Sequence, residues 1–143
     1  MKQYTTIKII CTLLVFLFVY AAVSKLANWS TFVSDMNNQP FPAFAKPVLV
    51  WAVPLTELAI AGLLVFDTTR VIGLYASLLL MIAFTFYTGM VLLHFFAYVP
   101  CSCGGIIKNF SWEQHLVFNG FFVLIAITGI LKYPLKPQHY KTE

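Results

Sequence analysis

Charged side chains are scarce in this 143-residue chain, at 10% of the sequence, whereas a typical soluble domain carries about 25%. Hydrophobic residues make up 60%. So few ionic groups cannot coat a globule in water, which excludes a soluble enzyme and a disordered chain. The nine Lys and Arg residues are scattered between apolar blocks, so the net charge of +4 does not indicate nucleic-acid binding. We predict one small membrane domain over residues 1–143, with the lipid bilayer as its first partner.

Cysteine is also scarce, and three residues are too few for a disulfide-stapled scaffold. Cys101 and Cys103 are separated by a single residue, whereas Cys11 falls near the start of the first apolar block. Cys11 therefore lies most of a bilayer thickness from the other two, and we expect it to be an inert packed side chain.

Four apolar blocks dominate the chain, and a helix needs about 20 such residues to cross the hydrocarbon core. The predicted spans cover residues 7–24, 47–66, 71–97 and 112–131. This pattern predicts an all-α fold, a polytopic membrane four-helix bundle. The first block also fits a signal peptide, but its removal would leave an odd number of spans, so we expect it to be retained.

Basic residues predict the orientation, because the side richer in Lys and Arg faces the cytoplasm. With both termini on one side, that side carries six basic residues (Lys2, Lys8, Arg70, Lys132, Lys136, Lys141) and the other carries three (Lys25, Lys46, Lys108). Both termini are therefore expected in the cytoplasm. The loops after the first and third spans then face outward. In the first of these loops, Ser30 is predicted to cap a short helix with Phe32 and Met36 on one face, an interfacial anchor or, alternatively, a lid.

The cysteine pair follows the third span directly. Ser111 and Gln114 further on predict a capping box that starts the fourth helix at Trp112. The positive end of that helix and Lys108 would both stabilise a thiolate. A disulfide closing so small a ring is strained and easily reduced, which suits exchange. A permanent clip in an oxidising compartment is the alternative, although it would constrain the unfolded chain very little.

Two histidines are expected near the outer ends of their helices, close to the cysteines. His94 or His115 is a candidate proton acceptor for a thiol, because the charge of histidine changes near neutral pH. Together with Cys101 and Cys103 they also form a Cu or Zn ligand set, although the spacing matches no standard metal motif. Interfacial hydrogen bonding is a third interpretation.

Glu57 lies near the middle of the second span, where a carboxylate is costly and suggests a functional site. The nearest basic candidate is Lys25, but simple depth counting separates the two by about 15 Å. They can pair only if the second span is displaced outward or the lysine stem reaches inward. Asn119 and Tyr87 extend polar stripes toward the same interior. These groups form either hydrogen bonds between helices or a proton or quinone site.

The chain resembles the MauE branch of the DoxX-like membrane proteins over nearly its whole length. The shared features are Ser24-Lys25-Leu26, Pro54-x-x-Glu57, Cys101-x-Cys103-x-Gly105 and the polar start of the fourth span. The usual loop of the family reads C-G-C-F-G, so Ser102 and Gly104 depart from it.

The resemblance implies a bacterial inner-membrane protein linked to methylamine utilisation. There a periplasmic thioredoxin-like partner helps to mature the small subunit of methylamine dehydrogenase, and DoxD-type relatives are linked to quinol oxidation. Cys101 and Cys103 would then be the redox pair, with Glu57 and Lys25 as family-typical polar positions. We do not transfer the dehydrogenase substrate to this chain.

The leading hypothesis is a membrane thiol–disulfide oxidoreductase component. Cys101 and Cys103 would exchange electrons with a periplasmic thioredoxin-like protein, with a membrane quinone near His94 and His115 as a further electron carrier. One alternative is a non-enzymatic scaffold that holds other membrane-complex subunits, with the cysteines as a clip. The other is a protein that handles Cu or Zn.

Overall fold

The computed structural model describes residues 2–98 and 110–133. Within those ranges the chain is helical, in the order α1 (Lys2–Ala27), α2 (Trp29–Asn37), α3 (Lys46–Val65), α4 (Arg70–Leu92) and α5 (Trp112–Lys132). Four of these helices, all except α2, are long and apolar enough to cross a membrane. This confirms the predicted all-α, four-helix membrane bundle.

The bounds of α3 and α5 lie within one residue of the predicted spans, but α1 is longer than predicted. It begins at Lys2 and ends at Ala27, not at residues 7 and 24. The polar first turn stays helical because nothing in it breaks a helix. Thr6 Oγ1 donates to the Lys2 carbonyl at 2.9 Å, and the Lys8 ammonium lies over the Tyr4 ring at 4.5 Å.

The third span is shorter than predicted, because α4 ends at Leu92 and not at residue 97. His94 takes a left-handed conformation with φ 53°, which stops the helix. The His94 N–H donates to the Val91 carbonyl and the Phe95 N–H to the Met90 carbonyl, each at 3.1 Å. This pair of bonds is a Schellman motif, which usually has glycine at the left-handed position.

The four long helices form a square in which α1 and α4 each pack against both α3 and α5. Successive helices run in opposite directions, so α1 and α4 end where α3 and α5 begin. We call this the loop end of the bundle. The buried core along the axis includes Leu14, Phe18, Leu64, Leu74 and Met81. Large apolar side chains cover the outer faces, as in a bundle surrounded by lipid (Phe16, Leu79, Phe86, Val117 and Leu131 among them).

The short helix α2 folds over the loop end. Its Phe32 and Met36 are both buried and pack with Val50 at the start of α3. The helix begins at Trp29, with Asn28 at the N-cap position, so the predicted cap at Ser30 is wrong by two residues. Since only Asn28 separates α1 from α2, the position of α2 follows directly from the end of α1.

Candidate functional site: a roofed cavity at the loop end

A cavity of about 370 Å³ lies at the loop end, lined by side chains from all five helices. Most of its wall is apolar. The polar and charged lining residues are Lys25, Asp35, Gln39, Glu57, Tyr87, Thr88, His115 and Asn119. Five residues predicted as site candidates or polar interior groups from the sequence therefore share one cavity (Lys25, Glu57, Tyr87, His115 and Asn119).

Lys25 and Glu57 form an ion pair in the wall of the cavity. Lys25 Nζ lies 2.8 Å from Glu57 Oε1 and 3.1 Å from Oε2, so it donates to both carboxylate oxygens. The Glu57 side chain is 1% exposed and that of Lys25 12%. A third contact, 3.3 Å from Nζ to the Ala21 carbonyl, completes the environment of the ammonium group.

This contact joins two groups that depth counting had placed about 15 Å apart. The contact of Nζ with Ala21 shows that the lysine stem turns back by one helical turn, toward the middle of the bundle. The rest of the 15 Å difference comes from the relative positions of α1 and α3 along the axis of the bundle. Glu57 is eleven residues from the start of α3 while Lys25 is two from the end of α1, so α3 begins well beyond the point where α1 ends.

His115 and Asn119 lie one turn apart on α5 and face the cavity together. His115 is only 7% exposed, and its Nε2 atom is buried without a hydrogen-bond partner in the part of the chain that the structure describes. Asn119 Nδ2 reaches Thr88 Oγ1 of α4 at 3.5 Å, a long contact. A buried nitrogen with no partner costs roughly 1–3 kcal/mol, so His115 is a point where a bound molecule would gain a hydrogen bond.

The segment that contains α2 forms the roof of the cavity. It makes hydrogen bonds and a ring contact with α4 and with the residues that follow α4. Tyr87 donates its hydroxyl hydrogen to Gln39 Oε1, and its ring stacks on Phe41 with centroids 5.1 Å apart. Tyr98 donates to the Asn38 carbonyl at 3.0 Å. The apolar face of α2 thus packs on the bundle, which is the geometry of a cover over the cavity.

The remaining predicted residues divide into three groups. Cys101 and Cys103 lie outside the described residues. His94 is exposed, ends α4 and does not line the cavity, so of the two candidate histidines only His115 lines it. Cys11 is buried in the core, as predicted.

Tyr98 and Phe110, on either side of the cysteine pair in the sequence, each have a contact near the cavity. On the α5 side, the Phe110 ring lies 5.4 Å from the His115 ring. On the α4 side, Tyr98 bonds to Asn38 beside the roof. Tyr98 and Phe110 therefore both lie beside residues of the cavity or its roof. Within residues 2–98 and 110–133, no group of three or more His, Cys, Asp or Glu side chains could hold a metal ion.

Sequence reasoning anticipated Phe32 and Met36 of the roof but missed two other residues that line the cavity, Gln39 and Trp112. Gln39 is buried although it follows the end of a short helix in a polar stretch, where nothing in its neighbours marks it as an inward-facing side chain. Trp112 was noted only as the start of a helix, yet it lines the cavity, with its ring centroid 6.2 Å from that of Tyr87. The aromatic content of the outer loop and of the helix starts was the available signal.

The model of one protein family, described as Methylamine utilisation protein MauE, matches residues 3–132. The chain belongs to the MauE family. This family match covers all five helices except the first residue of α1, and it includes the cysteine pair between α4 and α5. Comparisons with curated proteins and with solved structures find no significant match. As a MauE-family member with four candidate spans, the chain is a multi-pass membrane protein of methylamine utilisation.

Proposed function

We propose that this MauE-family protein is an inner-membrane component of a periplasmic thiol–disulfide system. In this proposal Cys101 and Cys103 exchange electrons with a soluble partner of thioredoxin type. The observation that carries it is the Cys-x-Cys pair, two thiols one residue apart in the loop between α4 and α5. A membrane bundle supports the proposal because it would hold such a loop at the surface where a soluble partner can reach it.

The exchange itself is balanced by two electrons and two protons. A thiolate of the pair attacks the disulfide of the partner, forming a mixed disulfide and releasing one partner thiolate, which takes up a proton. The second cysteine, once deprotonated, attacks the mixed disulfide and releases the other partner thiolate, which is protonated in turn. The products are a Cys101–Cys103 disulfide and a reduced partner. The reverse sequence reduces the pair.

The start of α5 supplies one electrostatic feature that suits this chemistry. Ser111 Oγ accepts from the Gln114 N–H at 3.3 Å, and Gln114 Oε1 accepts from the Ser111 N–H at 2.9 Å. This capping box, as predicted, fixes the first turn of a helix whose positive end lies on the same side as the cysteine loop. The positive end of a helix stabilises a nearby thiolate.

Trapping of the mixed disulfide tests the exchange. Removal of the resolving cysteine blocks the forward release of the mixed disulfide, which can then be lost only if the thiolate of the partner attacks in return. We therefore expect Cys101→Ser or Cys103→Ser to accumulate an adduct with a periplasmic protein on non-reducing gels, which a reductant dissolves. Cys11→Ser, at a buried position in α1, is the matched control and should trap nothing. The proposal fails if neither variant traps a partner and the double Cys101→Ser/Cys103→Ser protein functions normally.

The orientation is part of the same proposal, with both termini in the cytoplasm and the α4–α5 loop in the periplasm. A membrane-impermeant maleimide tests it on reduced, intact spheroplasts of a Cys11→Ser variant. We expect the loop cysteines to be labelled without breaking the membrane. Labelling that appears only after the membrane is opened would place them in the cytosol and contradict the proposal.

A further inference from the structure

We propose that the roofed cavity binds a neutral, planar, lipid-soluble ring compound with a carbonyl or hydroxyl group, the chemistry of a quinone and its quinol. The inference concerns the cavity alone and goes beyond exchange at the cysteines. The residues that line the cavity lie in α1 to α5 and in the segment that joins α2 to α3.

The size and lining of the cavity favour a flat ring. Its volume of about 370 Å³ falls within the range of roughly 300–1,000 Å³ typical of small-molecule sites. The wall is mostly apolar, and five aromatic rings contribute to it: Phe32, Phe41, Phe84, Tyr87 and Trp112. Aromatic side chains stack on or contact the edges of other rings at favourable energies, so a planar ring has partners on several sides.

The charges around the cavity favour a neutral molecule. Lys25 and Glu57 already neutralise each other through two hydrogen bonds, which leaves neither free for a charged ligand. Asp35 of the roof adds a carboxylate to the lining, and this disfavours an anion. Moving any unpaired charge into so apolar a space is expensive.

His115 supplies the hydrogen bond that would orient the ring. Its buried Nε2 has no partner among the described residues, and the side chain lines the cavity. Neutral imidazole can carry a hydrogen on Nε2 or leave that nitrogen as an acceptor. A carbonyl group would accept from the first form and a hydroxyl group would donate to the second, so a quinone and its quinol both fit the same nitrogen.

Binding of duroquinone to the purified full-length protein in lipid nanodiscs tests the inference. This quinone is fully substituted, so it does not add to thiols. We expect saturable binding with one site per chain by isothermal titration calorimetry. His115→Phe should weaken it about tenfold, the effect of losing one hydrogen bond. The variant should still fold, because it removes a buried polar atom that has no partner.

Three controls distinguish binding in the cavity from effects elsewhere in the protein. His94→Asn changes the exposed histidine to a residue that tolerates its left-handed backbone, and its affinity should be unchanged. Val53→Trp fills the cavity from α3 and should abolish saturable binding, whereas Val48→Trp, on an exposed position of the same helix, should not. The Cys101→Ser/Cys103→Ser double variant should bind as the unmodified protein does, so a failure of exchange and a failure of binding are distinct results.

Two results would overturn the inference. One is non-saturable uptake of duroquinone that is the same in empty nanodiscs and in all variants, as expected from partition into lipid. The other is saturable binding that neither His115→Phe nor Val53→Trp weakens, which would place the ligand elsewhere on the bundle.

Discussion

Replacing Lys25 with Met should lower the free energy of unfolding by roughly 3–5 kcal/mol, the cost of removing one partner from a buried ion pair. The structure supports this range because Glu57 is 1% exposed and Lys25 donates to both of its carboxylate oxygens. Without Lys25, the carboxylate keeps its burial and loses both of these bonds.

Removing the charge of Glu57 should lower the free energy of unfolding by less than removing the charge of Lys25. Glu57→Gln leaves the lysine 12% exposed, still bonded to the Ala21 carbonyl and still facing a side-chain oxygen at position 57. The double variant Lys25→Met/Glu57→Leu removes both charges and puts apolar groups of similar size in their place, a change that is often neutral or stabilising. Its stability should therefore lie well above that of Lys25→Met alone.

Unfolding of the purified proteins by a denaturing detergent, followed by circular dichroism, provides the free energies. The unmodified protein, Lys25→Met, Glu57→Leu and the double variant Lys25→Met/Glu57→Leu together form a double-mutant cycle. Lys8→Met, on an exposed position of the same helix, is the matched control. It removes only an exposed cation–π contact with Tyr4 and should stay within about 1 kcal/mol of the unmodified protein. If Lys25→Met behaves like that control, or if the effects at the two positions simply add, the ion pair does not stabilise the bundle and our reading of the cavity wall is wrong.

Substitutions at three further positions, with Gly62 as a control position, test the helix ends and one close helix contact by thermal unfolding. His94→Gly should be more stable than His94→Ala by about 1 kcal/mol, because glycine adopts the left-handed cap without strain; equal stability would contradict the Schellman geometry. Gly73→Ala should cost about 1–3 kcal/mol, since its Cβ would lie 2.9 Å from the Leu64 backbone nitrogen, whereas Gly62→Ala meets nothing within 4 Å and should be tolerated. Ser111→Ala should cost about 1 kcal/mol by removing the cap of α5, and no loss would show that the cap is dispensable.

The membrane bundle was predictable because hydropathy is a local property of the chain. Runs of apolar residues mark the helices whatever their neighbours are, and the capping box at Ser111 and Gln114 is a short-range pattern that can be read directly. The end of α4 was not predictable in this way. Its left-handed cap falls on a histidine and not on a glycine, so the residue type carries no signal.

The ion pair shows the limit of depth counting. Counting residues assumes that every helix starts at the same level, but α3 starts beyond the end of α1 and the lysine stem spans the rest. That offset depends on how α2 folds over the loop end, which is a matter of tertiary packing. The individual residues Lys25, Glu57, His115 and Asn119 stood out from the sequence because polar groups are rare in its spans, whereas the cavity that they share did not.

A redox titration of the cysteine pair tests the central claim most directly. The protein is equilibrated in buffers of graded potential, free thiols are blocked, and the Cys101–Cys103 peptide is assigned by mass spectrometry. We predict one reversible two-electron transition between about −270 and −120 mV, the range of thioredoxin-fold oxidoreductases. A pair that stays oxidised below about −300 mV would be a structural clip. A pair that never forms a disulfide could not exchange electrons with a partner, and either result would contradict the proposal.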